Sequence, residues 1–401
     1  VGTVGLVLSA LGVVGTFLWV TILVEVALYW KRFRFLRDLP DDEPQEGWPR
    51  LAVVFAARDE ESAIEKAVRS LVEQDYPDLR VVAVDDRSSD RTGEILDRLA
   101  GECPRLEVIR VDEVPPGWLG KTHALQRGAD AVPDAEWLLF TDADVVFSPR
   151  ALRRAVRYAA TERADHLTVG PDVPVGGFGE GLFLAIFIVM FSLRCPVWRL
   201  EKRWSRAHVG VGAFNLVRAE RFRELGGFDR IRLSIDDDVR LGQLLKFTGG
   251  RSRYVAGLDA VTVRWQTGLA GHVSGLEKNF YTGLDYRPWM APVAAFATYL
   301  FCAAPHVGVL FGPIWMRAIC GVGVAILALF LLAAPARVAW WYALLLPLSM
   351  LILWGTMIRS VVLAHRRGGV AWRDRLYPLG ELRAHARERD AFLRAARRTA
   401  R

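Results

Sequence analysis

Between residues 51 and 146 short apolar runs alternate with amphipathic stretches, and few architectures accept that pattern. LAVVFAA, from Leu51, reads as a strand, and residues 60–74 after it carry Ile64, Ala67, Val68, Leu71 and Val72 on one helical stripe. RVVAVDD reads as a second strand, residues 91–100 as a helix with Ile95, Leu96 and Leu99 inward, and LEVIRV as a third strand. Residues 121–131 supply a helix ahead of the fourth run, WLLFTDAD. Strands and helices alternating through right-handed crossovers build an α/β fold, a Rossmann-like, mainly parallel sheet with helices on both faces.

That architecture also says where to look, because open α/β sheets bind ligands beyond the carboxyl ends of their strands. The exits here are Arg58-Asp59-Glu60-Glu61, then Asp85-Asp86-Arg87-Ser88-Ser89-Asp90, then Asp142-Ala143-Asp144. Each could be an ordinary helix start, since Asp, Ser and Glu favour caps. Asp85, however, falls inside an apolar run, and three acidic exits exceed what capping needs. If residues 137–141 form a buried strand, Asp142 and Asp144 can leave on the same side. Two convergent carboxylates suit a hard cation, Mg2+ or Mn2+, bridging protein to a diphosphate; a solvated loop is the plainer alternative.

No GxGxxG follows the first strand and no GxxxxGK[ST] occurs, which disfavours a dinucleotide-binding fold and a P-loop NTPase. Phosphate handling falls instead to VPPGWLGKTHAL, a Pro/Gly turn that delivers Lys121 to a helix start.

Further along, residues 151–160 read as a helix and HLTVGP as a strand. VGVGAFNLVR reads as a strand packed close to a ligand, or as a tight bend. In ELGGFDRIRLSIDDDVRLGQLLKFTGGR, Asp236 can cap a helix from Asp237 whose Leu241, Leu244 and Leu245 face the core. Asp238 shares that inward stripe, and three successive acids exceed what a helix dipole asks for. A carboxylate at the mouth of a crevice is an ordinary general base for a hydroxyl, so Asp238 and Asp237 are the catalytic candidates. Arg264 and Trp265, at a later strand end, could grip a diphosphate and stack on a sugar, or form an exposed cation-π pair.

At 52% hydrophobic over 401 residues, with mean hydropathy +0.19, the chain is too apolar to be soluble throughout. Its net charge of +7 sits beside apolar segments, in KRFRFLR and AHRRGG, which points to membrane flanks and not to nucleic acid. Cys103, Cys195, Cys302 and Cys320 lack CxxC spacing, so no disulfide framework or zinc site is supported.

The expected organisation is an anchor over 1–37, a linker over 38–50, a catalytic domain over 51–289, membrane segments over 290–365 and a basic tail over 366–401. The first apolar stretch reads as an anchor and not as a cleaved leader, with KRFRFLR on the cytoplasmic side. GLFLAIFIVMFSL, 13 residues from Gly181, is apolar all round and too short to span. Flanked by Arg194, Arg199, Lys202, Arg203 and Arg206 with Trp198 and Trp204, the region 181–206 reads as interfacial, with a buried helix as the alternative. Three candidate spans come next, at 291–312, 318–335 and 340–364. All three crossing would leave the basic tail outside, so the first, with Pro292, Pro305 and His306, is expected to be re-entrant or interfacial.

Taken in order, AARDEE, VDDRSSD, GKTHALQRGAD, FTDADV and GGFDRIRLSIDDDVRLGQLL resemble the membrane-bound, lipid-directed or processive branch of the family 2 glycosyltransferases, which have the GT-A fold. A looser likeness is to bacterial hopanoid- or carotenoid-associated glycosyltransferases. The resemblance implies that Asp85 and Asp86 meet the nucleoside, Lys121 the diphosphate, Asp142 and Asp144 the metal and sugar phosphate, and that Asp238 is the base. Arg58 and Glu60 join the donor-binding set, with Arg264 and Trp265 at its margin. Three positions depart from the family pattern: Asp59 replaces the usual Asn, Asp237-Asp238 the usual Glu-Asp, and Val261 the Gln of QxxRW. The last argues against a cellulose- or chitin-type polymerase.

The resemblance implies a metal-dependent inverting hexosyltransferase that takes a nucleotide sugar, a UDP-sugar first, to a lipid or polyprenyl hydroxyl. Such an enzyme would sit multi-pass in a bacterial-type inner membrane, catalytic domain in the cytoplasm, with no nucleic-acid partner. The alternatives are an inactive sugar-nucleotide-binding membrane scaffold and a polysaccharide-synthesising member of the family.

Overall fold

The computed structural model describes residues 3–399 apart from Gln45, Arg203 and Asp374, so the flanking Arg203 lies outside the described residues. Two compact units interleave along the chain: a sheet unit of residues 34–173, 199–264 and 381–401, and an apolar helical unit of 1–33, 174–198 and 265–380.

The sheet unit is built on eight strands: β1 Leu51–Ala57, β2 Leu79–Asp86, β3 Leu106–Val111, β4 Trp137–Asp142, β5 Val146–Phe147, β6 His166–Asp172, β7 Asn215–Arg218 and β8 Ser252–Thr262. Their order is β3-β2-β1-β4-β7-β6-β8-β5. Parallel pairs join β3, β2, β1 and β4, and again β6 and β8. β7 runs antiparallel between β4 and β6, and β5 antiparallel to β8. The sheet is thus mixed and mainly parallel, as the alternation predicts.

Strand periodicity accounts for its two cores. Val53, Phe55, Val81, Ala83 and Leu139 turn to one face, against Ile64, Val68, Leu71, Leu96 and Leu99 of the helices Ile64–Val72 and Thr92–Glu102. Ala52, Val54, Val82, Val84, Leu138 and Phe140 turn to the other, against Ala124 and Leu125 of Gly120–Asp130 and Leu241, Leu244 and Leu245 of Asp237–Phe247. Neighbouring residues on one strand therefore feed opposite layers, which is what a doubly wound sheet requires.

Three local expectations change. The helix expected over 60–74 begins only at Ile64, because residues 59–61 are hydrogen-bonded to the β2 exit. VGVGAFNLVR is strand only over Asn215–Arg218, and its glycines lie in a loop. The basic tail is folded: after the hairpin Gly369–Trp372 and Arg375–Pro378 comes a helix, Leu379–Thr399. That helix buries Leu382 and Leu393, the latter in the second core, and Arg230 stacks on its Phe392.

In the helical unit, four helical segments are long and apolar enough to cross a membrane: Thr3–Trp30, Phe178–Arg199, Ile314–Ala333 and Trp340–Arg366. The second is longer than the 13 apolar residues counted from Gly181, since its helix begins at Phe178 and a short 3-10 turn extends it. Met290–Cys302 and Ala304–Phe311 form a pair bent by 53°, the shape of a broken span or a re-entrant loop, with Pro305 at the second start. Trp19 ties the first helix to this pair, donating from Nε1 to the Phe301 carbonyl at 2.8 Å.

Candidate active site

Strand register brings the acidic exits to one edge. Ala57 of β1 pairs with Asp85 of β2, Ala56 with Asp142 of β4, and Asp85 with Arg110 of β3. β1 is also where the strand order switches direction, the position at which open α/β sheets form their crevice.

The first two exits hold each other. Asp59 Oδ1 accepts from Ser89 N at 2.7 Å, Glu60 N donates to Thr92 Oγ1 at 2.8 Å, Glu61 N to Asp90 Oδ2 at 3.0 Å, and Arg91 N to Glu61 Oε2 at 3.2 Å. The Ser89 amide beside Asp59 holds its carboxyl below the usual range. Asp59 and Arg87 adopt left-handed backbone, with φ of 54° and 59°, and such conformations persist only where neighbours over-determine them. Arg58 lies 3.9 Å from the Asp59 carboxylate.

Asp85 and Asp86 are buried. Asp85 Oδ1 accepts from Ser88 N at 3.1 Å and Oδ2 faces Arg110 at 3.6 Å, while Asp86 Oδ1 accepts from Arg87 Nε at 2.9 Å. Their described partners are protein groups that shape the β2 exit.

The centre of the site is Lys121, in the first turn of Gly120–Asp130. Its Nζ lies 2.7 Å from Asp142 Oδ1 and 3.5 Å from Asp237 Oδ1. Burial opposes its charge, but Asp142, Asp237 and Asp238 outweigh that and hold its pKa above the ordinary value. Burial likewise pushes the Asp237 carboxyl up, against the pull of Lys121.

Asp238 is half-buried, its Oδ2 accepting from Gly212 N and its Oδ1 from Val239 N, both at 2.8 Å. Burial, then the Asp237 charge, pushes it up to about 7. Asp236 stands at the N-cap position but makes no side-chain cap bond; its Oδ2 pairs instead with buried Arg240, one turn on, at 2.9 Å. The expectation of an Asp236 cap is corrected accordingly: a buried guanidinium outcompetes backbone N–H groups for the carboxylate.

Asp144 follows β4 in a turn, and burial, then the Asp142 and Glu60 charges, pushes its carboxyl up to about 7. Among the described residues no group of three His, Cys, Asp or Glu side chains is arranged to hold a metal. Asp142 and Asp144 nevertheless offer the donor chemistry that a hard divalent cation takes. The donors are all oxygen, and burial with the Asp142 and Glu60 charges disfavours ionised Asp144, a cost that a bound cation would relieve.

Arg264 and Trp265 part company. Arg264 is exposed at the end of the sheet unit, whereas Trp265 belongs to the helical unit and packs on Phe187 at 4.6 Å and His272 at 5.6 Å. The glycine-rich run VGVGAFNLVR reads in the sequence as lying close to a ligand or as a tight bend, but nothing in it marks Gly212 as the partner of Asp238. The only signal was the GVG spacing before Asn215, since both glycines serve close approach. A side chain on Gly210 would strike the Asp238 carbonyl, and one on Gly212 the Asp142 carboxylate.

The family model for glycosyltransferase-like family 2 matches residues 49–270. Among curated proteins, the chain is 33% identical over 153 residues to beta-monoglucosyldiacylglycerol synthase of Synechocystis sp., covering 36% of this chain and 31% of that protein. It is 27% identical over 237 residues to 4,4'-diaponeurosporenoate glycosyltransferase of Staphylococcus aureus, covering 58% of this chain and 61% of that one. The chain thus spans less than two thirds of either relative. Among solved structures, the mannosyltransferase PcManGT from Pyrobaculum calidifontis, in complex with GDP-Man and Mn2+, is 21% identical, covers 90% of this chain and 98% of its own, and superposes with a TM-score of 0.49.

Proposed function

The chain belongs to glycosyltransferase-like family 2, and from that premise we propose that it moves a sugar from a nucleotide-sugar donor, a UDP-sugar first, to the hydroxyl of a lipid-like acceptor with inversion at the anomeric carbon. One cluster supports this most: Lys121 between Asp142 and Asp237, with Asp238 on the Gly212 amide, all at the carboxyl edge of the parallel strands.

Asp142 and Asp144 would hold Mg2+ or Mn2+, which when bound neutralises charge on the donor diphosphate. Lys121 faces the same diphosphate and stabilises the charge that grows as the bond from the anomeric carbon to phosphate oxygen breaks. Asp238 takes the proton from the acceptor hydroxyl as its oxygen attacks that carbon from the opposite face. Asp85 and Asp86 shape the nucleoside end, with Arg58 and Glu60 beside them and Arg264 at the margin.

A lipid acceptor accords with the names of the two curated relatives and with an apolar unit that leaves Phe17, Leu28, Ile314, Leu332 and Leu351 exposed. Our reading is a multi-pass arrangement with the sheet unit in the cytoplasm. In this reading Phe178–Arg199, although long and apolar enough to cross, lies in the interface, because the residues on both sides of it belong to the sheet unit. Residues 381–399 also rejoin the sheet unit, which asks for an even number of crossings between 265 and 380. In this reading Ile314–Ala333 and Trp340–Arg366 supply two, and the bent pair, by shape a broken span or a re-entrant loop, takes the re-entrant role.

The test is a panel of radiolabelled sugar nucleotides offered to the purified protein with membrane lipid extracts. The expected outcome is label in a lipid-extractable product that disappears with EDTA. Transfer to soluble sugars and never to lipid would overturn the acceptor assignment, and no transfer from any donor would overturn the activity.

A further inference from the structure

Gly212 stands between the two halves of the proposed chemistry. Its amide donates to Asp238 Oδ2 at 2.8 Å, and its Cα faces the Asp142 carboxylate closely enough that a methyl group would collide with it. The segment carrying it, residues 209–214, has no regular secondary structure of its own. Something else must therefore hold it, and the hydrogen bonds say what.

Asn215, fully buried at the start of β7, accepts from Val211 N at its Oδ1, at 3.4 Å, and so folds the loop back on its own root. The same Oδ1 accepts from Thr168 Oγ1 at 3.1 Å and meets His166 Nε2 at 3.1 Å. His166 Nδ1 is 3.3 Å from Ser252 Oγ. A proton on Nε2 satisfies the whole buried chain across β7, β6 and β8. From the other side Thr141, the residue before Asp142, donates from Oγ1 to the Ala213 carbonyl at 2.8 Å, and Phe214 N closes the turn on the Val211 carbonyl at 2.9 Å. Gly210 lets the loop backbone lie directly on the Asp238 backbone.

We propose that Asn215 is a positioning residue for the transfer reaction: it fixes the loop whose Gly212 amide aims the Asp238 carboxylate, and so sets the base relative to the donor-binding Asp142. The role of the base rests on the proposed function; the loop geometry does not. Asn215 touches no substrate and acts only through Gly212. A side-chain amide is suited to this place, because its oxygen takes several donors without burying a charge. Loss of that acceptor strands the Val211 amide and frees the loop to drift, and displacements of an ångström at a reacting group cost up to about 100-fold in rate.

The test compares Asn215→Ala with Ser252→Ala, which breaks the far end of the same buried chain and touches no loop atom. Two readouts are taken on the full-length protein: amide hydrogen exchange of the peptide covering residues 209–214, and steady-state transfer with donor affinity measured separately. In Asn215→Ala, exchange of that peptide rises about 10-fold or more and kcat falls about 10- to 100-fold, with donor affinity within about 3-fold of wild type. Ser252→Ala leaves the exchange of this peptide and the kcat close to wild type even where its thermal midpoint drops equally. Equal exchange or an equal kcat loss in both variants overturns the positioning role. A wild-type protein that transfers nothing would count against the proposed function, while the exchange comparison still decides the loop.

Discussion

A single ammonium among carboxylates governs the residue scale. Lys121 offsets Asp142, Asp237 and Asp238 and also eases Asp144, yet burial and the Asp142 and Glu60 charges still push the Asp144 carboxyl up to about 7. A cation seated there would relieve that charge, so Asp144→Ala is expected to lower nucleotide affinity at least about 10-fold in the presence of Mn2+ and to change it little in EDTA. Calorimetric titration of the nucleotide diphosphate with and without Mn2+ checks this; equal losses in both conditions would point to a role other than metal binding. Lys121, Asp142, Asp144 and Asp238 were legible in the sequence because each follows a local rule, an acid at a strand exit, a lysine after a Gly turn, an acid on a helix's inward stripe. Gly212 was legible only as part of a glycine-rich run close to a ligand or in a tight bend; its bond to Asp238 joins residues 26 apart in sequence, and no local pattern pairs them. In the sequence the acids of the first two exits look like one set with the others, yet Asp59, Glu61 and Asp90 serve to lock those two loops together.

Elements owe their places to two periodicities. Alternation along β1, β2 and β4 was visible in the sequence and is why the two-layered sheet could be expected. Helix starts were less visible, since Ile64–Val72 loses its first turn to hydrogen bonds made with residues 88–92. The β6–β7–β8 region carries a prediction of its own. Burial pushes His166 down to about 4 from an ordinary 6.5. Below about 6.5 the unfolded chain binds a proton that the folded one refuses, so stability is full above that pH and declines as pH falls towards 4. The loss attributable to this group is on the order of 3 kcal/mol. The thermal midpoint of the sheet unit should drop between pH 7 and pH 5 in the wild type and drop less in His166→Gln; equal drops would remove His166 as the cause.

At the scale of the whole molecule, the interleaving of the two units is what the sequence hid. The sequence marks 366–401 only as a basic tail, because Leu382 and Leu393 are sparse among its charges, yet both are buried in the helix Leu379–Thr399. The proposed two-crossing arrangement keeps that basic segment on the cytoplasmic side. A reporter fused after Arg401 is expected to lie on the same side as one inserted in the exposed turn near Gly117, and opposite sides would refute the two-crossing arrangement. The central claim is sugar transfer with Asp238 as its base, and Asp238→Asn tests it most directly. In the lipid-extract assay with Mn2+, the variant should bind the nucleotide-sugar donor within about 3-fold of wild type while its kcat falls about 100-fold or more. A variant that turns over at close to the wild-type rate would contradict the account.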